Sequence, residues 1–439
     1  MERAIERERL PVTLLAYRVL TRAAAPLVGG LAARRLKRGK EDPERVLERR
    51  GQTSVARPSG PLVWIHGASV GEIAAVVPLV ERIASKDFNV LVTSGTVGSA
   101  HVAVQRLPSR AIHQFVPWDS PRFISRFLAH WTPDLGLFVE SDLWPNLILM
   151  SSDRRIPLIL VNGRLSERSF RRWRYAPATI AAMLGRFDLC LAQSAAYASR
   201  YRELGAPRIA TTGNLKLDVP EPPAEPRNLA ALRSAIGDRT IFAAASTHPG
   251  EETALIDTHR RLRHGFPRLL TIIAPRHPDR GRGITEIASA KGLGASLRSQ
   301  GRLPSDGDDI HVIDTLGELG LVYRVAPIVF VGGSLVTHGG QNPVEPIKLG
   351  AAIVHGPNVW NFAEIYSALD AAHGAEQVND AGRLAVRVAA WLRNPAERNA
   401  VAAAARETVA SLGGALDRTL AALDPYLMQI RIEHQPSHA

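Results

Sequence analysis

The chain has 439 residues, 45% of them hydrophobic and 22% charged, enough apolar material for two or three cores at ~100–200 residues per domain and too much for a chain disordered throughout. Its 35 glycines and 30 prolines follow no fixed period, which excludes collagen-like, solenoid and propeller architectures, and a lone cysteine, Cys190, excludes a disulfide framework or a thiolate-built metal site. Of the formal net charge of +12, an outsized share lies in residues 1–60, which hold 14 Lys or Arg against 7 Asp or Glu; such an excess suits anionic lipid or a phosphorylated substrate, and no zinc-finger spacing, RNP motif or basic zipper points to nucleic acid.

Residues 10–33 are largely apolar, with Arg18 and Arg22 inside the run and Arg34, Arg35, Lys37, Arg38 and Lys40 directly after it. Two internal arginines leave no uncharged stretch of ~18–20 residues, so a spanning helix is not expected. The pattern predicts a helix lying in the membrane interface, its cations meeting anionic headgroups. The bland alternative is an ordinary helix packed on its own domain. A basic run after the apolar one also argues against a cleaved signal peptide and for retention in the cytoplasm.

From Pro61 onward, short apolar runs at 62–66, 89–93, 112–116, 135–139, 158–161, 189–192 and 208–211 alternate with amphipathic stretches, as buried parallel strands alternate with helices. Pro220, Pro222, Pro223 and Pro226 then form a semi-rigid linker. Beyond it the alternation restarts, with strands expected at 240–245, 269–274, 311–313, 328–331 and 352–355 and a helical tail over 385–427 interrupted near Pro395. The expected fold is α/β: two Rossmann-like doubly wound domains facing a cleft, preceded by the interface helix. In residue ranges, this gives a membrane-associated helical segment over 1–45, a first Rossmann-like domain over 46–219, a hinge over 220–227, a second Rossmann-like domain over 228–414 and a C-terminal helix and tail over 415–439.

Ligand chemistry belongs at the carboxyl ends of such strands. Gly67-Ala-Ser-Val-Gly-Glu72 follows the first, placing Ser69, Gly71 and Glu72 at a helix N-terminus. Glu72 there either complements the helix dipole or serves as a general base. Gly67-x-Ser69-x-Gly71 also fits a nucleophile elbow, but an elbow normally follows several strands, and no oxyanion loop precedes this one. Glu140-Ser-Asp-Leu-Trp-Pro145 follows the strand ending at 139 and puts two carboxylates at its carboxyl end; Asp142 can simply cap the following helix, a structural role that Glu140 lacks. Arg164, Arg168, Arg171, Arg172 and Arg174 suit a phosphate or carboxylate, or simply form a solvated helix face. Lys216 lies near the hinge. In the second half, Arg276 and His277, the stretch Gly317, Glu318 and Leu319, and Asn342, Pro343, Val344 and Glu345 all follow strands, where backbone N–H groups can cradle phosphate and Glu345 can accept from ribose hydroxyls. Each group taken singly is also compatible with turn chemistry. No clustered His, Asp or Glu spacing suggests a catalytic metal.

Together, His66-Gly-Ala-Ser-Val-Gly-Glu72, Glu140-Ser-Asp-Leu-Trp-Pro145, Gly213-Asn-Leu-Lys216, Pro275-Arg-His-Pro278, Gly317-Glu-Leu319, Phe330-Val-Gly-Gly-Ser334 and Asn342-Pro-Val-Glu-Pro346 resemble, in order, the Kdo (3-deoxy-D-manno-octulosonic acid) transferases of Gram-negative bacteria, over about residues 10–425. The resemblance implies a membrane-associated GT-B glycosyltransferase of lipopolysaccharide synthesis, at the cytoplasmic face of the cell inner membrane. It also implies that the enzyme needs neither metal nor cofactor and moves Kdo from CMP-Kdo to the lipid A precursor (lipid IVA) with inversion. It assigns Glu72 as general base, and Glu140 and Lys216 to transition-state stabilisation. Arg276, His277, Gly317, Glu318, Leu319 and Asn342 through Glu345 become CMP contacts, which places the CMP-sugar in the 228–414 domain. The acceptor is then expected in the 46–219 domain, against Ser69, Gly71, Arg164 and Arg168. Two departures stand out: Gln341 replaces a frequent His, and arginines interrupt the N-terminal apolar run. Within the same fold, another nucleotide-sugar transferase or a UDP-sugar epimerase is the alternative; outside catalysis, the alternative is a silent membrane-associated binding protein.

Overall fold

The computed structural model describes residues 10–435; the first nine residues of the expected membrane-associated segment and the last four of the tail lie outside the described residues. The chain divides into two compact units. Unit 1 takes the chain up to Val219 together with the stretch from Gly413 onward, and unit 2 takes Pro220–Leu412.

Unit 1 holds β1 (Leu62–His66), β2 (Asn89–Ser94), β3 (Ala111–Phe115), β4 (Leu135–Val139), β5 (Leu158–Gly163), β6 (Leu189–Ala192) and β7 (Ile209–Thr211). They form one parallel sheet in the order β3-β2-β1-β4-β5-β6-β7. Every residue of β1 and β4 is buried, as expected for strands covered by helices on both faces. Strand order reverses between β1 and β4, so the loops leaving these two strands flank the crevice where doubly wound sheets bind ligands.

The N-terminal segment forms two helices, Val12–Ala24 and Val28–Leu36, rather than one, because Pro26 and a single 3₁₀ turn divide it. The first helix buries Leu14 and bonds to unit 1 through Thr13 to Thr179 (2.6 Å) and through Thr21, which accepts from Asn146 Nδ2 (2.9 Å). Val12, Val19, Leu20 and Leu27 remain well exposed. Among the described residues, no helix is long and apolar enough to cross a membrane.

The last helix, Ala415–Glu433, starts where Asp218 accepts from the Gly414 and Leu416 N–H groups (2.9 and 2.6 Å). It lays Leu420, Leu423, Leu427 and Ile430 into the core beside β1 and the helix Val70–Ala84. The tail expected over 385–427 is three helices, with breaks at Asn394 and at Gly413-Gly414.

Unit 2 holds β8 (Thr240–Thr247), β9 (Leu269–Pro275), β10 (Ala295–Leu297), β11 (Ile310–Val312), β12 (Ile328–Val331), β13 (Ala352–His355) and β14 (Ala375–Gln377). Their parallel order is β10-β11-β9-β8-β12-β13-β14. The edge strands β10 and β14 were not expected: Ala-Ser-Leu and Ala-Glu-Gln are too short and too polar to read as buried strands. Here the order reverses between β8 and β12, which run so close that a Cβ on Gly332 would lie 2.5 Å from the Ser246 carbonyl oxygen. The proline-rich stretch is fastened to its own unit. Arg324 donates to the Pro222 carbonyl (2.6 Å), and the Pro223 carbonyl lies where any side chain on Gly320 would have to stand.

Candidate active site

In unit 1 the site starts at the end of β1. Ser69 caps the helix Val70–Ala84, accepting from the Glu72 N–H (3.4 Å), while the Glu72 carboxylate accepts from the Ser69 hydroxyl (2.7 Å) and the Ala68 N–H (2.8 Å). This reciprocal arrangement is a variant of the capping box. Both oxygens are oriented, yet a carboxylate has about four lone-pair sites, so acceptor capacity remains. Burial raises the Glu72 pKa above the ordinary carboxylate value; the Ser69 and Ala68 hydrogen bonds oppose the rise, and the negative charges of Glu140 and Asp142 add to it. These charges place the two loops leaving β1 and β4 within one electrostatic site.

Glu140 adopts a left-handed backbone (φ 60°), held by its N–H to the Val161 carbonyl (2.9 Å) and by the Tyr201 hydroxyl donating to its own carbonyl (3.2 Å). Its carboxylate lies 2.6 Å from Lys216 Nζ. Lys216 sits in a 3₁₀ turn fixed by two asparagines: Asn162 Oδ1 accepts from Leu215 N and Asn214 Oδ1 from Lys216 N, both at 3.0 Å. The sequence marked Glu140 and Lys216 separately; the structure makes them one ion pair.

Asp142 does not cap the next helix. Helix Pro145–Asp153 begins at Trp144, and its Asn146 and Leu147 N–H groups donate to Asp119 (3.0 and 2.8 Å). Asp142 instead accepts, on Oδ2, from His66 Nε2 (3.0 Å) and from the Trp144 indole N–H (2.9 Å). Burial pushes its carboxyl up, but the hydrogen bond and charge of His66, with Trp144 behind them, outweigh burial and leave it below the usual range. Ser69 and Gly71 are exposed at the helix start. Arg164 is half-buried just after β5, and Arg168 is exposed on the helix Glu167–Trp173. Part of the arginine set is committed to ion pairs, Arg171 with Glu167 (2.9 Å) and Arg174 with Glu203 (3.7 Å).

In unit 2 the switch point is built on Glu251, 1% exposed. Its carboxylate accepts from the N–H groups of His248 (2.9 Å), Gly333 (2.7 Å), Ser334 (2.9 Å) and Leu335 (3.0 Å), tying the loop after β8 to the loop after β12. Arg276 and His277 are exposed after β9, with the His277 ring edge-on to His248 at 6.1 Å. His248 also stacks on His338 at 3.7 Å and meets Gln341 Nε2 at 3.0 Å. Burial, followed by the neighbouring His338, His277, Arg276 and Arg280, lowers its pKa to about 4. Gly317 is exposed with φ 84°. Next to it, the Glu318 carboxylate is taken up by Arg298 (2.9 Å) and by the Thr315 hydroxyl. Leu319 opens the helix Leu319–Val325. Asn342 Oδ1 accepts from Val344 N (3.1 Å), Pro343 and Val344 are buried, and Glu345 is half-buried in the first turn of Val344–Lys348. His248, Glu251 and His338 were missed in the sequence; the signal was Ser246-Thr-His-Pro-Gly-Glu251, hidden because β8 runs two residues past its expected end. Among the described residues, no group of three or more His, Cys, Asp or Glu could hold a metal ion.

Residues 44–219 match the family model described as 3-deoxy-D-manno-octulosonic-acid transferase (kdotransferase). The chain is 34% identical over 424 residues to the 3-deoxy-D-manno-octulosonic acid transferase of Bordetella pertussis, covering 94% of this chain and 99% of that one. It is 35% identical over 384 residues to the enzyme of the same name from Haemophilus influenzae, covering 86% of this chain and 89% of that one. Among solved structures, a glycosyltransferase from Rickettsia africae aligns with 84% of this chain and 99% of its own at a TM-score of 0.58 and 12% identity, a likeness of fold alone. With such identity across nearly the whole length of its relatives, the chain belongs to the 3-deoxy-D-manno-octulosonic acid (Kdo) transferases, glycosyltransferases of the GT-B fold.

Proposed function

We propose that the protein transfers Kdo from CMP-Kdo to a lipid A precursor, with Glu72 as the general base. A primary hydroxyl of the glucosamine disaccharide gives its proton to the Glu72 carboxylate as its oxygen bonds to the anomeric carbon. The bond from that carbon to the CMP phosphate oxygen breaks from the opposite face, and CMP leaves with the electron pair. The observation that carries this reading is the Glu72 carboxylate itself: fixed by Ser69 and Ala68, half-buried, and more basic than an ordinary carboxylate. Lys216, tied to Glu140, supplies a fixed positive charge to the reacting groups. The cytidylate falls to unit 2, where Arg276 and His277 offer cationic or donor groups to phosphate and the loops after β11 and β12 offer backbone N–H groups. Because the Glu318 carboxylate already serves Arg298 and Thr315, its part is to shape that loop.

The acceptor is an acylated bisphosphate, and the exposed Val12, Val19, Leu20 and Leu27 together with the basic residues around them suit the cytoplasmic face of an anionic inner membrane. The test is transfer by purified protein from CMP-Kdo to tetra-acylated precursor. Glu72→Gln is expected to lower kcat/KM by about 10²–10⁴-fold with CMP-Kdo binding retained. Transfer at near the unsubstituted rate removes Glu72 from the role of base.

A further inference from the structure

Trp144 is exposed, yet it is held in place. Its side chain and backbone are 43% open to solvent, although Pro145 follows it and restricts its backbone, and its indole N–H is spent on Asp142 (2.9 Å). Asp142 is in turn fixed from beneath by a buried chain of hydrogen bonds. Trp64 Nε1 can only donate, so the Thr93 hydroxyl accepts from it (2.9 Å), and the same hydroxyl is hydrogen-bonded to His66 Nδ1 (3.0 Å). On its other side, His66 Nε2 donates to the Asp142 carboxylate, which can only accept (3.0 Å).

The bond to Asp142 lies in the plane of the indole, so it does not occupy the ring faces, and 43% of the residue stays open to solvent. Both bonds to Asp142 fall on Oδ2, so Oδ1 is left to accept from a further hydroxyl. An aromatic face beside a carboxylate oxygen, in a loop whose charge is felt at Glu72, matches the chemistry of a sugar: C–H groups on the ring face and hydroxyls at its rim.

Resting on the proposed function above, we infer that Trp144 is the stacking residue for a glucosamine ring of the acceptor, with Asp142 and His66 as the residues that position it. Ordering this ring costs little on binding because its orientation is already set.

The test uses the full chain. The indole N–H resonance of Trp144, assigned by its loss in Trp144→Phe, is followed while a water-soluble bisphosphorylated glucosamine disaccharide is added without donor. A saturable shift is expected; no shift up to millimolar disaccharide overturns the inference. In transfer assays, Trp144→Leu is expected to raise the KM for acceptor about tenfold with the KM for CMP-Kdo unchanged, and Trp144→Phe to restore most of it. Equal behaviour of the Leu and Phe variants, or parallel rises in both KM values, marks a merely structural role. Should the unsubstituted protein bind the disaccharide at Trp144 but transfer no Kdo, the proposed function falls and the sugar platform stands. Should Kdo be transferred and the resonance stay still, the reverse holds.

Discussion

A carboxylate that caps its own helix and also takes a substrate proton has to keep lone pairs for both tasks, and Glu72 does so at the expense of stability. Its folded-state pKa is raised, so the native state holds that proton more tightly than the unfolded chain does. The associated stabilisation is present at low pH and lost as pH rises through the folded value. Glu72→Gln keeps the shape without the charge; its melting temperature is expected to exceed that of the unsubstituted protein at pH 7–8, with the gap closing near pH 4, as calorimetry will record. In a pH–rate profile, the acid limb of kcat/KM belongs above the ordinary carboxylate range of about 4.3. Ser69→Ala, which removes a hydrogen bond favouring the ionised form, is expected to move that limb further up. A limb unmoved by this change would mean another group is titrating. At this scale the sequence identified the strand-end acids Glu72 and Glu140, because position after a buried strand is readable from the pattern alone. It misassigned Asp142, since the first N–H groups of helix Pro145–Asp153 are satisfied from Asp119, on a separate loop, and no local spacing announces a cap brought in through tertiary structure. The Glu140 and Lys216 pairing was hidden for the same reason.

The elements follow simple rules where the chain is apolar and depart from them where it is not. Runs such as β1, β4 and β12 were legible to the residue because continuous burial demands continuous hydrophobicity. β10 and β14 were not, since a three-residue edge strand is fixed by its neighbour rather than by its own composition. The N-terminal helix shows both behaviours. Its polar contacts, Thr13 with Thr179 and Thr21 with Asn146, fasten it to unit 1, while Val19 and Leu20 are two-thirds exposed (66% and 67%). For lipid docking, each such side chain contributes roughly 1.5–3 kcal/mol when buried. Val19→Asp combined with Leu20→Asp is therefore expected to weaken sedimentation with anionic phospholipid vesicles at least about tenfold, leaving circular dichroism unchanged. Retained vesicle binding would point to another surface.

At the scale of the molecule, each of the two seven-stranded parallel sheets ties the loops at its reversal of strand order with a carboxylate, while further candidate residues follow β5, β7, β9 and β11. In unit 2 that carboxylate is Glu251, and Glu251→Gln turns an amide NH₂ toward backbone donors; the loss is expected at about 2–4 kcal/mol, visible as a lower melting temperature and weaker cytidine nucleotide binding. The two-sheet plan was readable from the alternation of strand and helix on either side of the prolines. Less legible was the return of the chain: the helix Ala415–Glu433 completes the core of unit 1, so removing everything after Leu412 withdraws Leu420, Leu423, Leu427 and Ile430. At roughly 1.5–3 kcal/mol each, this rivals the whole stability of a domain, ~5–15 kcal/mol, and an insoluble product is expected in expression trials.

That return also sets a timetable for biosynthesis. Roughly two hundred residues of unit 2 are translated between Val219 and the helix that Asp218 caps, a wait of about 10–40 s at ~5–20 residues per second. Throughout that interval the nascent amino-terminal half leaves the ribosome with the part of its core that Leu420, Leu423, Leu427 and Ile430 later cover still open, making it a natural client for chaperones until the last segment emerges.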